Sequence, residues 1–239
     1  MICMTRARRL TAEAVGTALL LAGVVGSGIM GERLAGGNVA IALLANTLAT
    51  GAVLVALILT FGPISGAHFN PAVTLTSAWQ GDLAWGDVPG YVTAQVVGAF
   101  VGVATAHVMF AHPLFALSNH SRAGTAQLVS EFVATFGLLI VIRGCGQRQV
   151  VAIAVGAYIA AAYWFTASTS FANPAVTLAR AATDTFAGIR PADAPGYIAA
   201  QMLGAAGATG LFSWLLPAPA EARPAGVTNE AGARARRQA

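Results

Sequence analysis

Asn70-Pro-Ala-Val-Thr-Leu75 and Asn173-Pro-Ala-Val-Thr-Leu178 are the same six residues, each in a short, weakly polar gap between long apolar runs. The surroundings repeat as well. Asp87-Val-Pro-Gly-Tyr-Val-Thr-Ala-Gln-Val-Val-Gly-Ala99 is echoed by Asp193-Ala-Pro-Gly-Tyr-Ile-Ala-Ala-Gln-Met-Leu-Gly-Ala205, and Glu13 with Thr17 by Glu131 with Thr135. One unit is written twice, with its most polar motif at matching points of each half.

Charged residues make up 9% of the 239 and hydrophobic ones 56%. Soluble domains carry about 25% charge, so this chain cannot clothe a water-facing surface of its size. Six apolar runs, 10–29, 39–61, 89–110, 125–142, 150–166 and 195–216, each approach the ~20 residues that cross a bilayer as a helix. The first is mirrored later in the chain, which separates it from a cleaved signal peptide. The expected class is an all-α, multi-pass membrane protein. It has an N-terminal segment 1–9, a single domain 10–217 with repeat halves about 10–110 and 125–216, and a tail 218–239. The tail is rich in Ala, Arg, Pro and Gly and is expected to be disordered.

Orientation follows from arginine, since the chain has no lysine. With six spans and the N-terminus inside, the cytoplasmic side holds Arg6, Arg8, Arg9, Arg143, Arg148, Arg223, Arg234, Arg236 and Arg237. Arg33, Arg122, Arg180 and Arg190 remain outside. That asymmetry has the sense of the positive-inside rule and places both termini in the cytoplasm. No aromatic or folded basic patch accompanies the basic termini, so no nucleic-acid partner is expected. Cys3 and Cys145 fall on the reducing side and lack metal or redox spacing. Neither a nucleophile elbow, a His-Glu-x-x-His pair nor a P-loop is present. No enzyme activity, cofactor or metal is expected.

Three spans per half force the halves into opposite orientations, giving an inverted repeat with its pseudo-two-fold axis in the membrane plane. Each hexapeptide follows a Gly/Ser/Thr-rich stretch and opens a short helix-compatible run, 72–79 or 175–182. Asn before Pro is a helix start: Asn caps, and Pro occupies the first position, where its missing N–H costs nothing. Two matching surface helix starts are the plain alternative. Re-entrant half-helices, allowed where their loops line water or protein, account for the apolar content. Such N-termini meeting at mid-membrane each carry about half a positive charge. They repel cations and hydronium, while the amides of Asn70 and Asn173 offer hydrogen bonds to uncharged polar solutes.

The box Ser65-Gly-Ala-His-Phe-Asn-Pro-Ala-Val73 and its partner Asn173-Pro-Ala175 resemble the signature boxes of the aquaporin, or major intrinsic protein, family. The similarity covers about residues 8 to 217. It implies six tilted helices, two half-helices, one pore per subunit, a homotetramer and a bacterial inner-membrane location. The pore motifs would be Asn70, Pro71, Ala72 and Asn173, Pro174, Ala175. The resemblance also assigns Glu13 and Glu131 to accepting loop N–H bonds. Carboxylates inside spans are by default functional, so a solute-binding role is the alternative. Gln95 and Gln201 read as internal hydrogen-bonding groups, and Gly98 and Gly204 as close helix contacts. His68 is either at the inner mouth or a packing histidine, and His107 reads as interfacial.

Most members of that family place Arg directly after the second box; here the residue is Val176. Counting from the Asn residues puts the remaining constriction positions at Thr50, Ala161 and Ser170. All four are small, which implies an aperture wider than that of water-selective or glycerol-conducting members. The set resembles bacterial aquaglyceroporins associated with arsenic resistance. The expected solutes are water, glycerol-like polyols and neutral metalloid hydroxides such as arsenous acid. A strict water channel, a coupled secondary transporter and a structural protein are the competing readings. Two readings stand for Arg180: a vestibule residue one turn beyond Val176, or an ordinary i,i+4 partner of Asp184.

Overall fold

A computed structural model describes residues 4–215. The tail expected over 218–239, with its four arginines, and Cys3 lie outside them. The described residues form eight α-helices and no strand: α1 (Arg6–Leu34), α2 (Val39–Ser65), α3 (Pro71–Trp79), α4 (Val88–Met109), α5 (Thr125–Gly144), α6 (Arg148–Phe165), α7 (Pro174–Arg180) and α8 (Ala194–Leu215). Of these, α1, α2, α4, α5 and α8 are long and apolar enough to cross a membrane. The fifth apolar run, 150–166, forms α6, whose apolar part Gln149–Phe165 is shorter than the other five membrane helices. With 9 and 7 residues, α3 and α7 reach only a fraction of the bilayer at ~1.5 Å per residue.

Burial is inverted relative to a soluble protein. Leu19, Leu48, Val97, Val101, Ile153 and Leu203 face outward, while Glu13, Gln95, Glu131 and Gln201 are 0% exposed. Lipid cannot satisfy polar groups, so they turn inward and the apolar faces turn out. Packing repeats with the sequence. In the first half α1 packs on α2 and α4; in the second α5 packs on α6 and α8; α2 meets α6 across the halves. Each half-helix also crosses over, α7 lying on α4 and α3 on α8.

The close crossings need glycine. A Cβ on Gly98 of α4 would fall on the Ala14 carbonyl of α1, and one on Gly204 of α8 on the Phe132 carbonyl of α5. Contacts sort the loops onto two ends. On the N-terminal end Arg6 and Arg9 pair with Asp87, and Arg143 with Asp82. On the other, Arg33 donates to the Phe110 carbonyl and the Arg190 amide to the His120 carbonyl.

Candidate functional site

The two hexapeptides start α3 and α7 in the same way. Asn70 caps α3 by accepting from the Ala72 amide at 2.9 Å, and Asn173 caps α7 by accepting from Ala175 at 3.0 Å and Val176 at 3.3 Å. Pro71 and Pro174 occupy the first helical turn. Each Asn amide nitrogen then reaches the opposite loop. Asn70 Nδ2 donates to the Ala172 carbonyl at 2.7 Å, and Asn173 Nδ2 to the Phe69 carbonyl at 2.8 Å. Since an amide nitrogen carries two hydrogens, each Asn keeps one donor after making this cross-link.

The loops ahead of each Asn are strained in register. Ala67 and Phe69 have φ of 52° and 48°, and Ser170 and Ala172 have 50° and 48°. Left-handed backbone without glycine costs on the order of 1 kcal/mol or more per residue and persists only where neighbours over-determine it. Two buried carboxylates do so. Glu13 accepts from Ser65 Oγ (2.6 Å), the His68 amide (3.0 Å), the Phe69 amide (2.7 Å) and Gln95 Nε2 (2.8 Å). Glu131 accepts from the Phe171 and Ala172 amides, both at 2.9 Å, and from Gln201 Nε2 at 2.6 Å. The two glutamines repeat each other, Gln95 also donating to Thr74 and Gln201 to Thr177. These bonds engage both carboxylates with loop backbone and side chains.

One cavity of about 200 Å³ is lined by both Asn residues and reaches from Asp82 and Arg143 to Arg180. One wall is apolar, with Leu20, Val24, Leu138, Val155 and Ile159. The facing wall is loop, Gly66–Asn70 and Ser170–Asn173. His68 lies on this wall, half-buried, its Nδ1 3.1 Å from Thr74 Oγ1. Thr50, Ser170 and Val176 line the same cavity, but Ala161 does not. Ala161 is exposed on the outer face of α6, and Tyr163 takes the place on the wall. Its hydroxyl donates to Thr50 Oγ1 at 3.3 Å. Counting back from Asn173 crosses the turn after Phe165, whereas the face of α6 is set by helical period. Val155, Ile159 and Tyr163 share the inward face at i, i+4 and i+8, and Ala161 lies off it.

Arg180 is 1% exposed and also lines the cavity. The pairing with Asp184 is absent: Asp184 instead accepts from the Asn119 amide at 2.9 Å and side chain at 3.0 Å. Arg180 Nε donates to the Ala187 carbonyl, and its guanidinium lies 3.4 Å over the Phe171 ring. His107 stands in the last turn of α4. It is 1% exposed, and its ring nitrogens join the Pro113 carbonyl at 2.6 Å to Thr183 Oγ1 at 2.7 Å.

Arg122, which nothing in its loop sequence marks as special, ties that end together. Its Nε donates to the Gly188 carbonyl at 2.8 Å, its backbone amide to Asp193 at 2.9 Å, and its guanidinium carbon lies 5.2 Å from the Phe171 ring centroid. The Arg190 side chain, with the Arg122 amide, holds the Asp193 carboxyl below the ordinary carboxylate value. Hydrogen bonds from the Asn119 backbone and side chain do the same for Asp184.

Two boxes that cap opposed half-helices and cross-link at one cavity define a duplicated membrane fold. The model of the major intrinsic protein family matches residues 2–149 and again 143–238. The aquaglyceroporin AqpS of Rhizobium meliloti is 56% identical over 211 residues, which span 87% of this chain and 90% of that one. Aquaporin NIP1-2 of Oryza sativa subsp. japonica is 32% identical over 192 residues, 74% of this chain and 62% of its own. The structure of an aquaglyceroporin from Plasmodium falciparum superimposes with a TM-score of 0.68 at 20% identity, covering 87% of this chain and 96% of the other. The chain belongs to the major intrinsic protein family.

Proposed function

We propose that the protein is a passive channel for small uncharged solutes: water, glycerol-like polyols and neutral metalloid hydroxides such as arsenous acid. The observation that carries this reading is the pair of Asn side chains in one cavity, each capping a half-helix and each with an amide hydrogen left over. Opposed half-helix N-termini place positive potential between them, against protons and cations, while the spare amide hydrogens favour neutral solutes with acceptor oxygens. The constriction consists of Thr50, Tyr163, Ser170 and Val176, with Val176 leaving open the side where most of the family carries Arg. The likeness to an aquaglyceroporin, at 56% identity, supports solutes larger than water. Glu13 and Glu131 brace the loops and are not coupling-ion sites. The arginine asymmetry supports cytoplasmic termini, and membership of the family supports a bacterial inner-membrane homotetramer.

Stopped-flow light scattering on proteoliposomes tests the reading by comparing water, glycerol, urea and arsenous acid. Flux of all four is expected, and passage of water alone would show a strict water channel. Val176→Arg is expected to lower glycerol flux about tenfold, the scale of one lost or blocked polar contact, while water still flows. Uptake driven by a proton gradient would point to a coupled transporter instead.

A further inference from the structure

The cavity wall carries a buried cation with no counter-ion among the described residues. Among the described residues Arg180 is in no ion pair. The three carboxylates of that region are taken: Glu131 by loop amides and Gln201, Asp184 by Asn119, and Asp193 by Arg190 and Arg122. Its Nε is held by the Ala187 carbonyl and one face by Phe171, but Nη1 is buried and finds no partner among the described residues. Ser170 Oγ is buried and unpartnered too, and both residues line the same cavity. Buried charges are as a rule paired, and this guanidinium is held only at its Nε and one face.

We propose that Arg180 and Ser170 form an oxyanion subsite on the wall of the pore, one that takes an oxygen of a small singly charged oxoacid. Arg180 supplies a desolvated, charge-assisted donor, and Ser170 a hydroxyl that donates or accepts. Val176, one helical turn before Arg180 on α7, puts only an apolar surface beside them. Held one turn along α7 from Val176, the guanidinium gives the wall a charge without occupying the Val176 position. The subsite rests on the channel reading, because it makes occupancy of the cavity compete with passage through it.

Methanesulfonate, a tetrahedral monoanion with no neutral form at working pH, is the probe. Two readouts apply: inhibition of glycerol flux into proteoliposomes at matched osmolarity, and the shift in Tm of the detergent-solubilised protein. Methanesulfonate is expected to slow glycerol flux and raise Tm in the natural protein. Arg180→Gln and Ser170→Ala should each raise the concentration needed by about tenfold or more, the scale of a charge-assisted bond. Ser170→Ala deletes one hydroxyl on an unchanged backbone and carries the test if Arg180→Gln does not reach the membrane. Absence of inhibition in the natural protein, or inhibition that persists in both variants, would overturn the subsite. Absence of glycerol flux without any anion would instead sink the channel reading.

Discussion

At the residue scale, two glutamates carry a disproportionate part of the architecture. Each sits at the centre of a set of charge-assisted hydrogen bonds from amides of a loop that turns left-handed at several non-glycine residues. Replacing Glu131 by Gln substitutes a donor for one acceptor oxygen and leaves a buried amide unpaired, a loss of about 2–4 kcal/mol. Glu131→Gln should therefore lower Tm by several degrees in detergent, and Glu13→Gln comparably, as read by intrinsic fluorescence on heating. The wall assignment on α6 gives a sharper contrast. Tyr163→Ala should raise glycerol flux relative to water, because a phenol leaves the cavity. Ala161→Leu, on the outer face of the helix, should leave that ratio as it is; a changed ratio would return Ala161 to the constriction.

At the scale of elements, the half-helices are placed by exchange between the repeats. Neither α3 nor α7 is long enough to be stable alone; each is started by its own Asn and Pro and then held by a carbonyl from the other loop. Long helices cross closely enough to support that arrangement only because glycines stand at the crossings. Gly98→Leu forces α4 off the Ala14 carbonyl, an overpacking cost of about 1–3 kcal/mol or more. Gly210, near the end of α8, has nothing within 4 Å of its added Cβ, and Gly210→Ala should stay within about 1 kcal/mol of the natural protein. Thermal unfolding of the two variants in the same detergent checks the pair. The repeat was legible at this scale, because identical hexapeptides and the Pro-Gly-Tyr echoes mark equivalent helices. The shortness of α6 was legible too, since its apolar run, 150–166, ends one residue past the helix.

At the scale of the whole molecule, the two ends are closed by different means. The N-terminal end has surface ion pairs, Arg6 and Arg9 with the partly buried Asp87 and Arg143 with Asp82, each worth about 1 kcal/mol. The opposite end is a clasp of loop on loop, in which residues 113–122 hydrogen-bond to residues 181–193 through Ser118, Asn119 and Arg122. Its carboxylates, Asp184 and Asp193, titrate below the ordinary value of about 3.9. A depressed folded pKa contributes stability above the unfolded pKa that is lost as pH falls through the folded one. Asp184→Asn should thus lower Tm by a constant amount from neutral pH to about pH 5. The difference should shrink only in stronger acid. A difference that vanished by about pH 6 would assign the clasp to histidine instead.

The sequence by itself determined the membrane class, the duplication, the two half-helix starts and the residues that line up between halves. These depend on local chemistry: hydropathy, capping and repetition survive without knowledge of distant contacts. Glu13 and Glu131 stood out for the same reason, as charges inside apolar runs. Only the tertiary structure decided which side of a helix met the cavity. A two-residue difference on α6 turns a side chain through more than half a circle, so Tyr163 rather than Ala161 faces Thr50. It also decided that Arg180 turns away from Asp184 onto Phe171, and that Arg122 and His107 bind loops far apart in the chain. Such partners are chosen by packing across the molecule, and no spacing within a helix or loop encodes them.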